Sequence, residues 1–147
     1  MFKRTLVTLA AIALFGAGCA PATPTSNMPT ANADVATAIQ GNWKMDSFYP
    51  TGAISPTQVT DLGLTVSFDG TKMTGKVCNN MSGNYTVDTN GVLKAPLVIS
   101  TKMFCEGPAG QAESNFEGSL TDGFKASIMN DMLTLTSDKV VIHFVRP

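Results

Sequence analysis

Cys78-Asn79-Asn80-Met81-Ser82-Gly83-Asn84-Tyr85, taken with Cys105, is the stretch on which the fold turns. The chain has three cysteines, and Cys19 ends an apolar leader, so Cys78 and Cys105 are left as one pair. We read that pair as a disulfide stapling a small antiparallel β domain. Two buried free thiols, or half of a metal site, are the alternatives. A metal site needs more ligands, and His143 is the only His in the chain. In the loop-entropy view a cross-link closing a loop of this length stabilises by roughly 3–4 kcal/mol. That is a large share of the stability of a domain of about a hundred residues.

On either side of the stretch the chain alternates with period two and turns at Asn, Asp and Gly. Leu62, Leu64, Val66 and Phe68 share one face of a half-buried strand, and Asp69-Gly70 follows as a tight-turn pair before Met73 to Cys78 returns. Tyr85-Thr86-Val87 turns at Asp88-Thr89-Asn90-Gly91 into Val92-Leu93. Ser127-Ile128-Met129 turns at Asn130-Asp131 into Met132 to Leu135, and Ser137-Asp138 leads into Val140 to Val145. Four hairpin signals at short spacing predict an antiparallel meander. Gly41 to Met45 opens the first strand, and Tyr49 to Pro56 reads as a loop.

One segment departs from this pattern. From Ala109 to Leu120 no residue is β-branched, and Ala112, Phe116 and Leu120 form an i, i+4, i+8 stripe behind Pro108. The spacing predicts one helix over about 108–121, packed on a sheet of about eight short strands. The class is mainly antiparallel β (α+β), or a barrel plugged or flanked by the helix. Trp43, Leu64, Val66, Phe68, Tyr85, Phe116, Leu120, Leu133, Leu135, Ile142 and Phe144 make up the expected core.

Residues 1–18 read as a signal peptide: Lys3-Arg4, then an apolar run from Leu6 to Phe15. Gly16-Ala17-Gly18-Cys19 resembles the bacterial lipobox, with Gly16 where Leu is usual, which makes Cys19 the expected lipid anchor. Ordinary cleavage after a small residue is the alternative. Ala20, rather than Asp, after the cysteine implies an outer-membrane lipoprotein facing the periplasm, by similarity to known lipoproteins. Residues 19–40, with three Pro and the single charge Asp34, read as a tether, and 41–147 as the folded domain. Removing Lys3 and Arg4 takes the 10 basic groups to 8 against 11 acidic ones, net −3. No basic patch argues for nucleic acid as a partner.

From Gly41 onward the residues resemble the META domain (HslJ-like) family. The resemblance rests on Gly41-Asn42-Trp43, Leu64 to Gly70, Gly75 to Tyr85, Ser100 to Cys105, the helix with Glu113 and Phe116, and Leu133-Thr134-Leu135 with His143-Phe144. Val77 and Lys102 stand where the family more often has Gly and Arg. The resemblance implies a cracked-barrel-like fold with a packed helix and a bonded Cys78–Cys105 pair. It also implies an envelope protein connected with stress tolerance, motility or secretion, without an agreed catalytic mechanism.

The residues themselves point away from catalysis. His143 lies in a strand beside Val141 and Val145, with no second His and no free Cys to form a nucleophile–base pair. Glu113 and Glu117 at i, i+4 read as a solvated helix face, and Asp69, Asp88, Asp131 and Asp138 as turn formers. No catalytic residue, metal ligand or cofactor is therefore expected. Asn79, Asn80, Ser82 and Asn84 form a candidate ligand loop, although Asx turns are the preferred account of them. Their two glycosylation sequons read as chance matches in a bacterial lipoprotein. Six domain methionines (Met45, Met73, Met81, Met103, Met129, Met132) fill the core or else line a cavity. The expected function is that of a non-enzymatic, lipid-anchored envelope protein with protein partners. Carriage of a lipid or peptide inside the barrel is the alternative.

Overall fold

A computed structural model describes residues 35–147. The signal peptide, Cys19 and the tether as far as residue 34 lie outside the described residues. Two elements precede the expected hairpins: a single-turn helix α1 (Val35–Ala38) and the long strand β1 (Gly41–Pro50). Val35 and Ile39 are buried, and the indole N–H of Trp43 donates to the Ile39 carbonyl at 2.6 Å. Residues 35–40 are therefore part of the domain, a correction to the tether boundary at 40.

After β2 (Thr57–Gln58) and a 3-10 turn (Thr60–Leu62) come β3 (Thr65–Asp69), β4 (Lys72–Lys76), β5 (Asn80–Asn84), β6 (Thr86–Val87), β7 (Val92–Lys94) and β8 (Val98–Ser100). Helix α2 (Gly107–Leu120) follows, then β9 (Phe124–Met129), β10 (Met132–Thr136) and β11 (Val140–Val145). Leu62 belongs to the 3-10 turn and is exposed. Gly63 adopts φ 66 behind it, so the inward face of β3 begins at Leu64. The turn residues behave as their chemistry requires: Asn130 and Asp131 take φ 49 and 61 between β9 and β10.

All the pairings are antiparallel, in the order β6-β7-β9-β10-β11-β1-β3-β4-β5-β8, with β2 added against β1. The two ends of that order are the same hairpin. β5 runs through Tyr85 into β6, β7 runs through 95–97 into β8, and the two arms pair along both parts. Joining them closes an eight-stranded barrel with β2 as an extra strand. The pairing slips by one residue between the two parts, from Gly83↔Val98 to Thr86↔Lys94. Gly83 sits at this slip, and a Cβ there would lie 2.5 Å from the Leu97 carbonyl oxygen. A glycine in a strand commonly marks such a close backbone approach.

Inside the barrel every expected core residue is buried, joined by Met45, Phe48, Met73, Val77, Leu93, Phe124 and Val140. Helix α2 contributes Ala112, Phe116 and Leu120, as its stripe predicts. Phe116 stacks on Phe124 of β9 and meets Phe144 of β11 edge-on, at centroid distances of 5.8 and 6.1 Å. The helix thus packs against the interior where β8 and β9 diverge.

Candidate functional site

The segment between β8 and α2 has no strand partner, yet it is held at several points. Cys78, in the link between β4 and β5, is bonded to Cys105, with Cα atoms 6.4 Å apart. Asn79, next to the disulfide, is buried, and its side-chain amide clasps the backbone of Met103. Oδ1 accepts from the Met103 N–H at 2.8 Å, and Nδ2 donates to the Met103 carbonyl at 3.1 Å. Oδ1 also accepts from the Thr101 hydroxyl at 2.8 Å. One amide side chain thus mimics a strand partner for 101–103.

Glu113 completes the arrangement from below. It lies at i−3 and i−7 from Phe116 and Leu120, on the edge of the apolar stripe, and only 9% of it is exposed. Its Oε1 accepts from Asn79 Nδ2 at 2.7 Å, and its Oε2 accepts from the Asn79 backbone N–H. No Lys or Arg among the described residues pairs with it. The solvated-face reading of Glu113 is therefore corrected: the carboxylate satisfies two buried donors, which neutral groups of that size do less well. On the outside, Lys102 bridges to Glu117 at 3.3 Å and ties the segment to the helix a second time.

Cys78, Cys105 and Glu113 bring their potential ligand atoms within 4.8 Å of one another. The two sulfurs are bonded to each other and the carboxylate is engaged by Asn79, so the trio acts as a structural lock. The candidate ligand loop is also corrected. Asn80, Ser82 and Asn84 lie on the outer face of strand β5, paired with β4 and β8, while Asn79 alone turns inward. Neither a loop nor a set of Asx turns exists at 80–84. His143 is spanned by the Tyr49 hydroxyl at 2.8 Å and the Thr134 hydroxyl at 3.1 Å, which fixes its ring on the outer face.

The clamped segment and strand β8 before it display large apolar side chains. Leu97, Ile99, Met103 and Phe104 are 78%, 77%, 63% and 88% exposed. Sequence reasoning had passed over this cluster; its signal was the apolar alternation Leu97-Val98-Ile99, whose outward members have no covering element. It also passed over Arg146, whose guanidinium lies 3.9 Å from the centroid of Trp43 and donates to the carbonyls of Ala38 and Gln40.

Comparison with known proteins adds the family. Two solved NMR structures share the fold at a TM-score of 0.62. One is 21% identical, covering 75% of this chain and 92% of its own. The other, from Burkholderia xenovorans, is 19% identical, covering 87% of this chain and 97% of its own. At these identities the likeness concerns the fold alone. No curated protein matches. The family model of the META domain matches residues 35–147, the same span that begins with buried Val35. The chain belongs to the META domain family.

Proposed function

We propose that this protein is a non-enzymatic, lipid-anchored envelope protein that docks onto other envelope proteins through Leu97, Ile99, Met103 and Phe104. The observation that carries this reading is the pairing of exposure with rigidity. Large apolar side chains in water are costly, and contiguous clusters of them mark contact surfaces. Met103 and Phe104 lie in the segment held by a disulfide, an amide clasp and an ion pair, and Ile99 lies in strand β8 paired with β5, so these anchors have little ordering entropy left to lose on binding. Phe and Met are also side chains that interface cores favour.

Support for a non-catalytic role comes from the polar groups. Glu113 is consumed by Asn79, His143 is held between two hydroxyls, and both described cysteines are bonded. Carriage of an apolar ligand inside the barrel draws little support from the packing, since Trp43, Phe48, Phe68, Phe116, Phe124 and Phe144 occupy the interior. Anchoring through Cys19 and a place on the periplasmic side of the outer membrane rest on the leader sequence.

The test is a photo-crosslinking side chain at position 104 of the full-length protein, in living cells. A discrete adduct with an envelope protein is expected, and Ile99→Asp should abolish it while a probe at Met129 gives none. No adduct at 104, or one indifferent to Ile99→Asp, would remove the basis for this reading.

A further inference from the structure

The stretch that carries the apolar cluster also has a free backbone edge. Antiparallel strands turn the N–H and C=O of alternate residues toward a given neighbour. The Thr101 N–H donates to the Asn80 carbonyl at 3.0 Å, which fixes the phase: Ile99 and Thr101 face β5. Met103 keeps that phase through the Asn79 clasp, so the edge runs on past the end of β8. Val98, Ser100 and Lys102 therefore turn their backbone groups the other way, toward α2. Among the described residues no backbone partner outside the ladder reaches those groups. They look onto a groove of about 170 Å³ between the strand and the C-terminal end of the helix, lined by Val98, Lys102, Glu117, Leu120 and Thr121 among others. Two ties hold the helix beside it: the Ala95 N–H donates to the Leu120 carbonyl at 2.9 Å, and Lys102 bridges to Glu117 at 3.3 Å.

We propose, resting on the docking role of this cluster, that the partner enters as an extended peptide strand added to the free edge at 98–102, with apolar side chains at every second position. Unpaired N–H and C=O groups at every second residue match one chemistry, another extended backbone about 4.8 Å away. A helix has its backbone groups bonded internally and cannot supply them. Leu97, Ile99 and Met103 stand exposed at i, i+2 and i+6 along the same edge. An added strand sets its own outward residues beside them as cross-strand neighbours. Its inward residues face the small groove and must themselves be small. Pro96, which has no N–H, and Lys102 bracket the edge and limit the pairing to a short peptide. Asn79 and Glu113 thereby gain a purpose beyond stability: without the clasp, the edge would end with β8 at Ser100.

Hydrogen exchange on the full chain labelled with ¹⁵N, followed amide by amide in two-dimensional NMR, is the test. In the free protein the amides of Ile99, Thr101 and Met103 should exchange slowly and those of Val98, Ser100 and Lys102 fast. The probe is a short synthetic peptide of alternating Val and Thr with a terminal Lys. At about ten times its Kd it should slow exchange at Val98, Ser100 and Lys102 about tenfold. The same peptide with its amides N-methylated keeps the side chains, loses the donors and should give no protection. Ser100→Pro removes one outward N–H without touching the β5 ladder and should weaken the effect several-fold, whereas Ser100→Ala should not, with the melting temperature of each as the check on folding. No slowing, or equal slowing by the N-methylated peptide, would overturn the proposal. So would protection of these amides in the free protein that rises with its concentration, the mark of a second copy on the edge. Unprotected amides alongside a persisting adduct at position 104 in cells would overturn strand addition alone and leave the docking surface in place.

Discussion

Glu113 is a carboxyl group taken into the interior to serve one residue. Truncating it in Glu113→Ala leaves the backbone N–H of Asn79 without its acceptor, at about 1–3 kcal/mol for a buried donor, while Nδ2 keeps its bond to the Met103 carbonyl. A drop of about 1–3 kcal/mol in urea-unfolding free energy is expected. Glu113→Gln should recover only part of it, because its NH2 would replace one of the two accepting oxygens and face a donor. Tyr85 makes a second residue-scale prediction. Burial raises its phenol above the ordinary value of 10.0, the nearby Asp69 charge adds to this, and the hydrogen bond from Gln40 opposes it. Folding therefore favours the protonated phenol. Its contribution is fully present below pH 10 and is lost as pH rises from there through the folded-state value. Urea midpoints from neutral to alkaline pH should fall more steeply for the native protein than for Tyr85→Phe. Equal slopes would contradict the assigned environment.

At the scale of elements, the disulfide can be tested directly. It spans 27 residues and encloses β5, β6, β7 and β8. Loop entropy assigns it about 3.5 kcal/mol, which for a domain of this size corresponds to a fall in Tm of about 10 °C or more on reduction. A calorimetric scan with and without a phosphine reductant checks this, and an unchanged Tm would mean the bond contributes nothing. The legibility of the elements followed local chemistry. Strands bounded by Asn-Asp or Asp-Gly turns were readable because the turn and the alternation agree, as they do at Asn130-Asp131. Leu62 was misplaced because alternation alone cannot see that Gly63 reverses the chain. Residues 80–84 were misread because the three asparagines of 79–84 resemble a turn sequence, whereas the strand state is imposed by pairing with β4 and with β8. Glu113 was misassigned for a related reason. Helical periodicity put it at the edge of the buried stripe, but its side-chain partner among the described residues, Asn79, lies 34 residues away.

For the whole molecule, the barrel class, the one long helix and the core composition were visible in advance, since burial on one face of each strand leaves a period-two record. Closure was not visible, because it depends on one hairpin serving both ends of the sheet order. The exposed 97–104 cluster left only the apolar stretch Leu97-Val98-Ile99 as a signal, because exposure is the absence of a neighbour and local sequence does not fix it. The anchor belongs to this scale too. If Cys19 carries lipid, Cys19→Ser should move the protein from the membrane pellet to the soluble fraction after osmotic lysis. Continued sedimentation with membranes would contradict the lipobox reading.

The covalent link at the foot of the seam hairpin also governs how the domain would respond to force. Tension applied through residues 35 and 147 passes from Cys78 to Cys105 through sulfur, so the barrel's closing hairpin bears no load. The 27-residue span, about 90 Å when extended, stays folded back behind a 6.4 Å shortcut. A domain built this way yields less length when pulled, and its seam stays in register for reclosure once the tension is released.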